Sequence, residues 1–441
     1  MPASLDRGLR FGAAVLLSSF VAAQAAAAEE PHGRAWERHT VDSSISGADG
    51  VRLGDVNGDG LPDIATGWEE GGVVRAYLHP GYGGVRGPWP SVQVGLAPSV
   101  EDAVFADLDG DGAVDVVGST EGDERALYVY WAPKHRSDYT DPAAWTRERL
   151  PAPVQQWMFS VPADIDGTNG TDLVVGAKNA GAEIGLLLAP RDPRDLAAWR
   201  YVPIGAVGWT MTLAVRDLDA DGDDDILLAD RRRTQQPDRG DLRGLRWLEN
   251  PGPGGGALEQ PWRNHFIGRR GVEVMFSGSG DYDGDGDTDY VVPNIVSGGG
   301  VVRDSGQLNL LENEHGDFVE HPIPWPDDVG RAKAAAFGDV DRDGRTDIVL
   351  TFEEADQGRH GLVWLRQQGS RREPSWAVRA LSGVDGIKHD DATLVDIDGD
   401  RDLDVFTTEE RLPRAGLPTG LGLIWYENPT RAVRGGRVIA A

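Results

Sequence analysis

The chain has no cysteine, which excludes disulfides and thiol chemistry. An exported protein without disulfides can still be stabilised by bound metal. Basic residues are scarce: 43 Lys and Arg stand against 72 Asp and Glu, a formal charge of −29 at pH 7. That excludes the basic footprint on which nucleic-acid binding depends. Lysine itself occurs only four times, at Lys134, Lys178, Lys333 and Lys388. Beyond the N-terminus no apolar run is long enough to span a bilayer. There is no nucleophile elbow, phosphate loop, His-Glu-x-x-His motif or paired Cys-x-x-Cys, which argues against serine hydrolysis and nucleotide chemistry.

The abundant residue is glycine, at 59 positions, pointing to many tight turns rather than long helices. The first residues form a different class of segment. Arg7 and Arg10 precede an apolar stretch from Phe11 to Val21, and small residues follow at Ala25 to Ala28. This pattern predicts a signal peptide over residues 1–28, cleaved before Glu29, and hence a secreted product, extracellular or periplasmic. A short lead (29–35), one domain (36–429) and a tail (430–441) complete the expected organisation.

Seven segments share the pattern Asp-x-Asp-x-Asp-Gly-x-x-Asp followed by an apolar residue. Their starts are 52, 57, 53, 64, 58 and 57 residues apart. Oxygen ligands at the first, third, fifth and ninth positions converge when the chain between them turns tightly, and glycine at the sixth permits the positive φ of such a turn. The result is a cage suited to a hard cation, calcium above all. The expected ligands are Asp55, Asn57, Asp59 and Asp63 in the first loop and Asp107, Asp109, Asp111 and Asp115 in the second. The third supplies Asp164, Asp166 and Asp172, and the fourth Asp217, Asp219, Asp221 and Asp225. Asp281, Asp283, Asp285 and Asp289 follow, then Asp339, Asp341, Asp343 and Asp347, and last Asp396, Asp398, Asp400 and Asp404. The third loop departs most, with Thr168 in place of a carboxylate and Asn169 in place of glycine; the seventh carries Arg401 at the glycine position. Seven bound calcium ions would bring the formal charge from −29 to −15.

Each repeat has four short apolar stretches, and the acidic loop joins the first two. The fourth begins with an aromatic: Trp89, Trp145, Trp199, Trp262, Phe318 or Trp376. A fourth-type stretch also precedes the first repeat, at Trp36, and none follows the last. Four strands per unit at this period predict an all-β, seven-bladed β-propeller in which the N-terminal strand closes the last blade. The aromatics that open the fourth strands then pack blades together, and His39, His265 and His321, which recur at one repeat position, are structural.

The loops and their period resemble the FG-GAP and VCBS repeat families, calcium-binding propeller repeats also found in integrin alpha chains. The resemblance covers Trp36 to Pro429 and implies calcium loops on the face opposite a ligand site. Members include adhesion proteins, lectin-like modules and polysaccharide lyases. The segment Trp425 to Pro429 also looks like segments in the propeller of aldos-2-ulose dehydratase, although no catalytic motif of that enzyme maps onto this chain.

If the acidic loops occupy one end of the blades, the starts of first strands and ends of second strands meet at the other. There the sequence places Trp68, Glu69, Glu70, Glu121, Lys178, Asn179, Asp230, Asn294, Glu353, Glu409 and Glu410. Beside them fall Glu101, Asp102, Gln156, Trp157, Trp209, Glu273, Arg331, Lys333, Lys388, His389, Asp390 and Asp391. Three of the four lysines lie in this set. A polar mouth at a ring's centre suits a small polar ligand. Three readings follow. In the first, the mouth binds carbohydrate, with Trp68, Trp157 and Trp209 stacking on sugar faces. In the second it is a metal-assisted lyase or dehydratase: His389, Asp390 and glutamates hold a further divalent ion, and Lys388 or Lys333 neutralises a substrate carboxylate or acts as base. In the third it is an adhesion scaffold, with a protein as partner and an incidental mouth. A hydrolase using two of the glutamates also remains open.

Overall fold

A computed structural model describes residues 33–234, 240–252, 257–295, 306–355, 358–370, 373–410 and 420–430. The expected leader and almost all of the tail lie outside them. Among the described residues, no helix is long and apolar enough to cross a membrane.

The chain forms seven antiparallel sheets in a ring, each the blade of a propeller. Blade 1 is typical: its inner strand Ala48–Gly54 runs into the first acidic loop, and Asp63–Trp68, Val73–Tyr77 and Ser91–Leu96 follow outward. Blades 2 to 6 repeat that order. Blade 7 is assembled from both ends of the chain. Glu37–Asp42 pairs antiparallel with Gly422–Glu427, Glu37 opposite Glu427 and His39 opposite Trp425, so the N-terminal strand closes the ring.

Second strands are buried on both faces: Asp63–Trp68, Asp115–Thr120 and Asp347–Glu353 are buried at every position. That burial selects short β-branched and aliphatic runs over alternation. The aromatics that open outer strands fill the seams between blades. Trp36 meets Trp364 of blade 6 edge-on at 6.2 Å, and Trp89 meets Phe406 of blade 7 at 6.0 Å. The recurrent histidines are tied to glutamates of the facing third strand: His39 to Glu427 at 2.8 Å, His265 to Glu249 at 2.5 Å and His321 to Glu312 at 2.6 Å.

The acidic loops share one backbone solution. Positive φ is required at their fourth and sixth positions in every blade. Gly58 and Gly60 adopt φ of 71° and 81°, while Ala220, Arg342, Asn169 and Arg401 take the same left-handed conformation without being glycine. The ninth aspartate is a backbone staple. Asp63 accepts the Val56 N–H at 2.9 Å on one oxygen and the His79 N–H at 2.7 Å on the other, tying its loop to the end of the third strand. The same pair of bonds recurs at Asp115, Asp172, Asp225, Asp289, Asp347 and Asp404. A position that the metal pattern alone explains therefore also carries blade architecture.

Candidate functional site

At the end of the ring opposite the acidic loops is a cavity of about 320 Å³. Every lining residue falls on one of four phases of the repeat, counted from the first aspartate of its loop. Six residues before that aspartate come Asp49, Glu101, Met158, Met211 and Lys333, and fourteen after it come Glu69, Glu121, Lys178, Arg231, Glu353 and Glu410. Trp209, Arg331 and Lys388 lie eight before, and Phe159 and Phe276 five before. A β-bulge explains why successive residues of an inner strand both reach the channel. In blades 2, 3 and 6 the register skips Glu101, Met158 and Lys333, which have no Cα partner on the second strand. A bulge re-aims the extra residue, and here it turns inward.

The wall is largely divided by charge. Blades 7, 1 and 2 present Glu410, Asp49, Glu69, Glu101 and Glu121, with Lys388 of blade 7 among them; blades 3, 4 and 6 present Lys178, Arg231, Arg331 and Lys333, with Glu353 of blade 6 among them. Most of these charges are paired. Lys178 reaches Glu101 at 3.0 Å and also Glu121. Arg331 holds Glu353 at 2.6 Å, Lys333 contacts Asp390, and Lys388 contacts Glu410. Three groups are left over. Asp49, Glu69 and Arg231 form no hydrogen bond or ion pair through their side chains with any described residue.

Burial in this cluster moves protons toward neutrality. Glu69 is pushed up to about 7 by burial, then by repulsion from Glu101, Glu70 and Glu121. Asp49 is raised to about 6 by burial, against the pull of Lys333 and Lys388. Burial lowers Lys388, and Lys333 beside it lowers it further. For Lys178 burial also lowers the ammonium, but Glu101 and Glu121 outweigh it and hold the group above its ordinary value. Two carboxylate sets have the spacing for a divalent ion: oxygens of Asp49, Glu69 and Glu410, and of Glu69, Glu101 and Glu121, lie within 4.8 Å of one another.

The floor is aromatic. Phe159 and Phe276 meet edge-on at 5.7 Å, with Arg52 against the first ring at 5.6 Å and Lys333 against the second at 5.5 Å. Phe276 sits where the inner strand of blade 5 is interrupted, between Glu273–Val274 and Gly278–Gly280. Its N–H donates to Lys333 O and its carbonyl accepts from Ala335 N, while Ser277 N donates to Thr212 Oγ1. The break in blade 5 is thereby pinned to blades 4 and 6. A second cavity of about 330 Å³ lies beyond, sharing Met211 and Phe276 with the first.

Several residues named from the sequence lie elsewhere. Trp68 and Trp157 are fully buried, their indole N–H groups donating to Tyr77 Oη and Pro153 O, so neither is a stacking surface for a sugar. Trp209 does reach the mouth, but Lys178, Arg231 and Arg232 lie 4.6, 4.9 and 4.2 Å from its ring centroid. It is a shelf for cations. His389 is fully buried and not part of the lining. A Cβ on Gly361 or Gly386 would come within about 2.5 Å of its ring. It therefore cannot join Asp390 as a metal ligand in the mouth. Asp390 lies beneath, at a small cavity. Glu409 accepts the N–H groups of Ile387 and Leu421, and Asp230 those of Gly208 and Trp209 plus a buried pair with Arg246 at 3.3 Å. Asp102 pairs with Arg52 at 2.8 Å, Asn294 with Asn309 and Arg269, Asn179 with Gln156, and Glu273 lies 3.9 Å from Arg243. Glu70 packs against the backbone at Gly47. Asp49 and Arg231 were missed, although the repeat phase points to both.

At the opposite end the loops retain room for a hard cation. Oxygens of Asp107, Asp109 and Asp115 lie within 4.8 Å of one another. Asp107 Oδ1 and Asp341 Oδ1 are buried without a hydrogen-bond donor. In the seventh loop Asp402 is buried with neither oxygen receiving a donor, and its carboxyl is pushed up to about 9 by burial and by Asp400 and Asp404. Arginines reach some loops: Arg194 meets Asp109 at 2.5 Å, Arg86 meets Asp398, and Arg366 meets Asp341.

The class that fold and repeat define is a seven-bladed propeller with FG-GAP-like repeats. The model of the FG-GAP-like repeat family matches residues 55–118 and 281–350, which hold the first, second, fifth and sixth acidic loops. Among solved structures the fold is similar to that of an ancestral GH74 enzyme, at 12% identity and a TM-score of 0.52, covering 93% of this chain and 49% of that one. The chain thus spans about half the length of that enzyme. The Dos1 propeller aligns at 8% identity and TM-score 0.49, over 86% of this chain and 82% of that one. The exotype rhamnogalacturonan lyase YesX aligns at 12% identity and TM-score 0.45, over 90% and 76%. No curated protein matches the chain.

Proposed function

We propose that this is an exported, calcium-stabilised propeller of one domain over residues 36–429, whose mouth acts on a carbohydrate-like ligand as a metal-assisted lyase or dehydratase. The observation that carries this reading is the pair of unpartnered carboxylates, Asp49 and Glu69, facing a cavity whose other charges are nearly all paired. Two half-buried acids left without partners in a crowded cluster of carboxylates are costly to a fold, and such groups concentrate at working sites. Glu69, raised to about 7, holds or releases a proton near neutrality, as a general acid or base must. Lys388, lowered by burial, is a second proton carrier in the same wall. Asp49, Glu69 and Glu410 are the residues that would hold a divalent ion, which supplies polarisation of a ligand oxygen when bound; Glu69 would then be an ionised ligand and leave proton transfer to Lys388. Phe159 and Phe276 form the aromatic part of the wall between this cavity and the second one.

The carbohydrate-binding reading rested on three tryptophans. Two are buried and the third is covered by cations, so a lectin-like mouth loses its stacking surfaces. At the loop end, the buried donor-free oxygens of Asp107 and Asp341 support calcium as the structural ion.

The test is product formation. The protein is incubated with a panel of neutral and acidic polysaccharides, and the unsaturated or dehydrated sugar product is followed by ultraviolet absorbance and mass spectrometry. Turnover that disappears in Glu69→Gln and Lys388→Ala supports the reading. Binding without product would leave a binding module, and neither binding nor product would leave a scaffold.

A further inference from the structure

We infer that Arg231, laid on Trp209, is the docking group for an anionic oxygen group on the ligand, a carboxylate or a sulfate ester. The inference rests on the proposed function of the mouth and narrows its ligand to acidic saccharides.

Five cations line the cavity, and four are matched to carboxylates: Lys178 with Glu101 and Glu121, Arg331 with Glu353, Lys333 with Asp390, and Lys388 with Glu410. Arg231 has no such partner among the described residues, and its Nε is buried without an acceptor. Burial pulls its guanidinium below the ordinary arginine value. Glu353 offsets this in part, and Arg331 and Arg232 add to it. A desolvated guanidinium with free N–H groups is a strong bidentate receptor for a planar or tetrahedral oxyanion.

The group is also held in place. Its backbone N–H donates to Trp209 O at 2.9 Å, and Trp209 N donates to Asp230, itself buried and paired with Arg246. Trp209 further bridges to Lys178 of blade 3. The guanidinium lies 4.9 Å from the indole centroid, a cation–π contact that holds it at the ring without using its N–H donors. Arg231 stands on blade 4, whereas Asp49 and Glu69 stand on blade 1. A sugar whose anion sits on Arg231 therefore presents its hydroxyl face to those two carboxylates.

The experiment is calorimetric titration of the full protein, in calcium, with a galacturonate trimer, the methyl ester of that trimer, and a sulfated galactose trimer. The expected result is binding of at least one acidic trimer about ten-fold or more tighter than the ester. Which acid is preferred tells carboxylate from sulfate. Arg231→Ala should bring the acidic trimers down to the ester, Arg231→Lys should restore part of the difference, and melting temperatures should stay together. Arg231→Gln, which keeps most of the packing on Trp209, gives the same reading if the alanine variant does not fold. An ester bound as tightly as both acids, or a preference that survives in the folded variants, overturns this inference and leaves the proposed function standing. Failure of all three to bind overturns both.

Discussion

Both ends of the propeller are crowded with carboxylates, and they treat them differently. At the loop end the backbone bonds of the acidic residues stay within their own blade, although Arg194 of blade 3 reaches Asp109 and Arg86 of blade 1 reaches Asp398. First-position aspartates accept N–H groups of their own turn, as Asp55 does from Asp59 and Gly60, and ninth-position aspartates accept two buried backbone donors. At the mouth several carboxylates act across blades, while Arg331–Glu353 and Lys388–Glu410 are pairs within blades 6 and 7. Glu101 and Glu121 of blade 2 hold Lys178 of blade 3, and Asp390 of blade 7 holds Lys333 of blade 6. The loop end is seven copies of one local solution; the mouth is one assembly made from single contributions. Seven similar loops repeat around one face, and one asymmetric cavity occupies the other.

The sharpest way to break this comparison is to remove calcium. Each filled loop contributes about 2.7 kcal/mol when free calcium is 100 times its dissociation constant. Chelation should therefore lower the melting temperature steeply, as scanning calorimetry will show, whereas Glu69→Gln should not lower it at all. Next comes Asp172→Ala, which strands the buried N–H groups of Ile165 and Ala189. A loss of about 3 kcal/mol in denaturant unfolding is expected. A smaller effect concerns pH. Burial raises the Asp230 carboxyl to about 6 against the pull of Arg246. The folded state keeps that proton longer than the unfolded chain, whose aspartates titrate near 4, about their ordinary value. Stability from this group is therefore complete below about pH 4 and lost as pH rises through 6, a change on the order of 2–3 kcal/mol. Asp230→Asn should flatten that part of the stability–pH curve measured by urea unfolding. Smallest is Ala220→Gly. It relieves a left-handed residue at φ 62° but loosens the unfolded chain, for a net gain of about 0.5 kcal/mol by the same unfolding measurement.

The same contrast explains what was legible in the sequence. Blade number, strand order and ring closure follow from a local pattern repeated seven times, so spacing alone carries them. The mouth was legible only in part. Strand-end reasoning named Glu69, Glu101, Lys178 and Lys333, but it also named Trp68 and Trp157, which the structure buries. The reason is the bulge in the inner strands: by shifting register at Glu101, Met158 and Lys333, it defeats simple alternation, and the residues facing the channel differ from those that alternation selects. His389 misled because a histidine beside two aspartates suggests a ligand set, whereas here two glycines make room for it in the wall. The floor left a trace that was overlooked: Met-Phe-Ser occurs at one phase in blades 3 and 5, at Met158–Ser160 and Met275–Ser277. Arg231 needed only the fourteen-residue phase that also gives Glu69 and Glu121.

The most direct test of the division between the two ends is a paired measurement of turnover and melting temperature on Glu69→Gln and Asp172→Ala, with calcium present. The account predicts that Glu69→Gln loses about 100-fold or more in turnover of an acidic saccharide at an unchanged melting temperature. Asp172→Ala should melt earlier yet turn over normally below its transition. Turnover that survives in Glu69→Gln, or that is lost in folded Asp172→Ala, would contradict it.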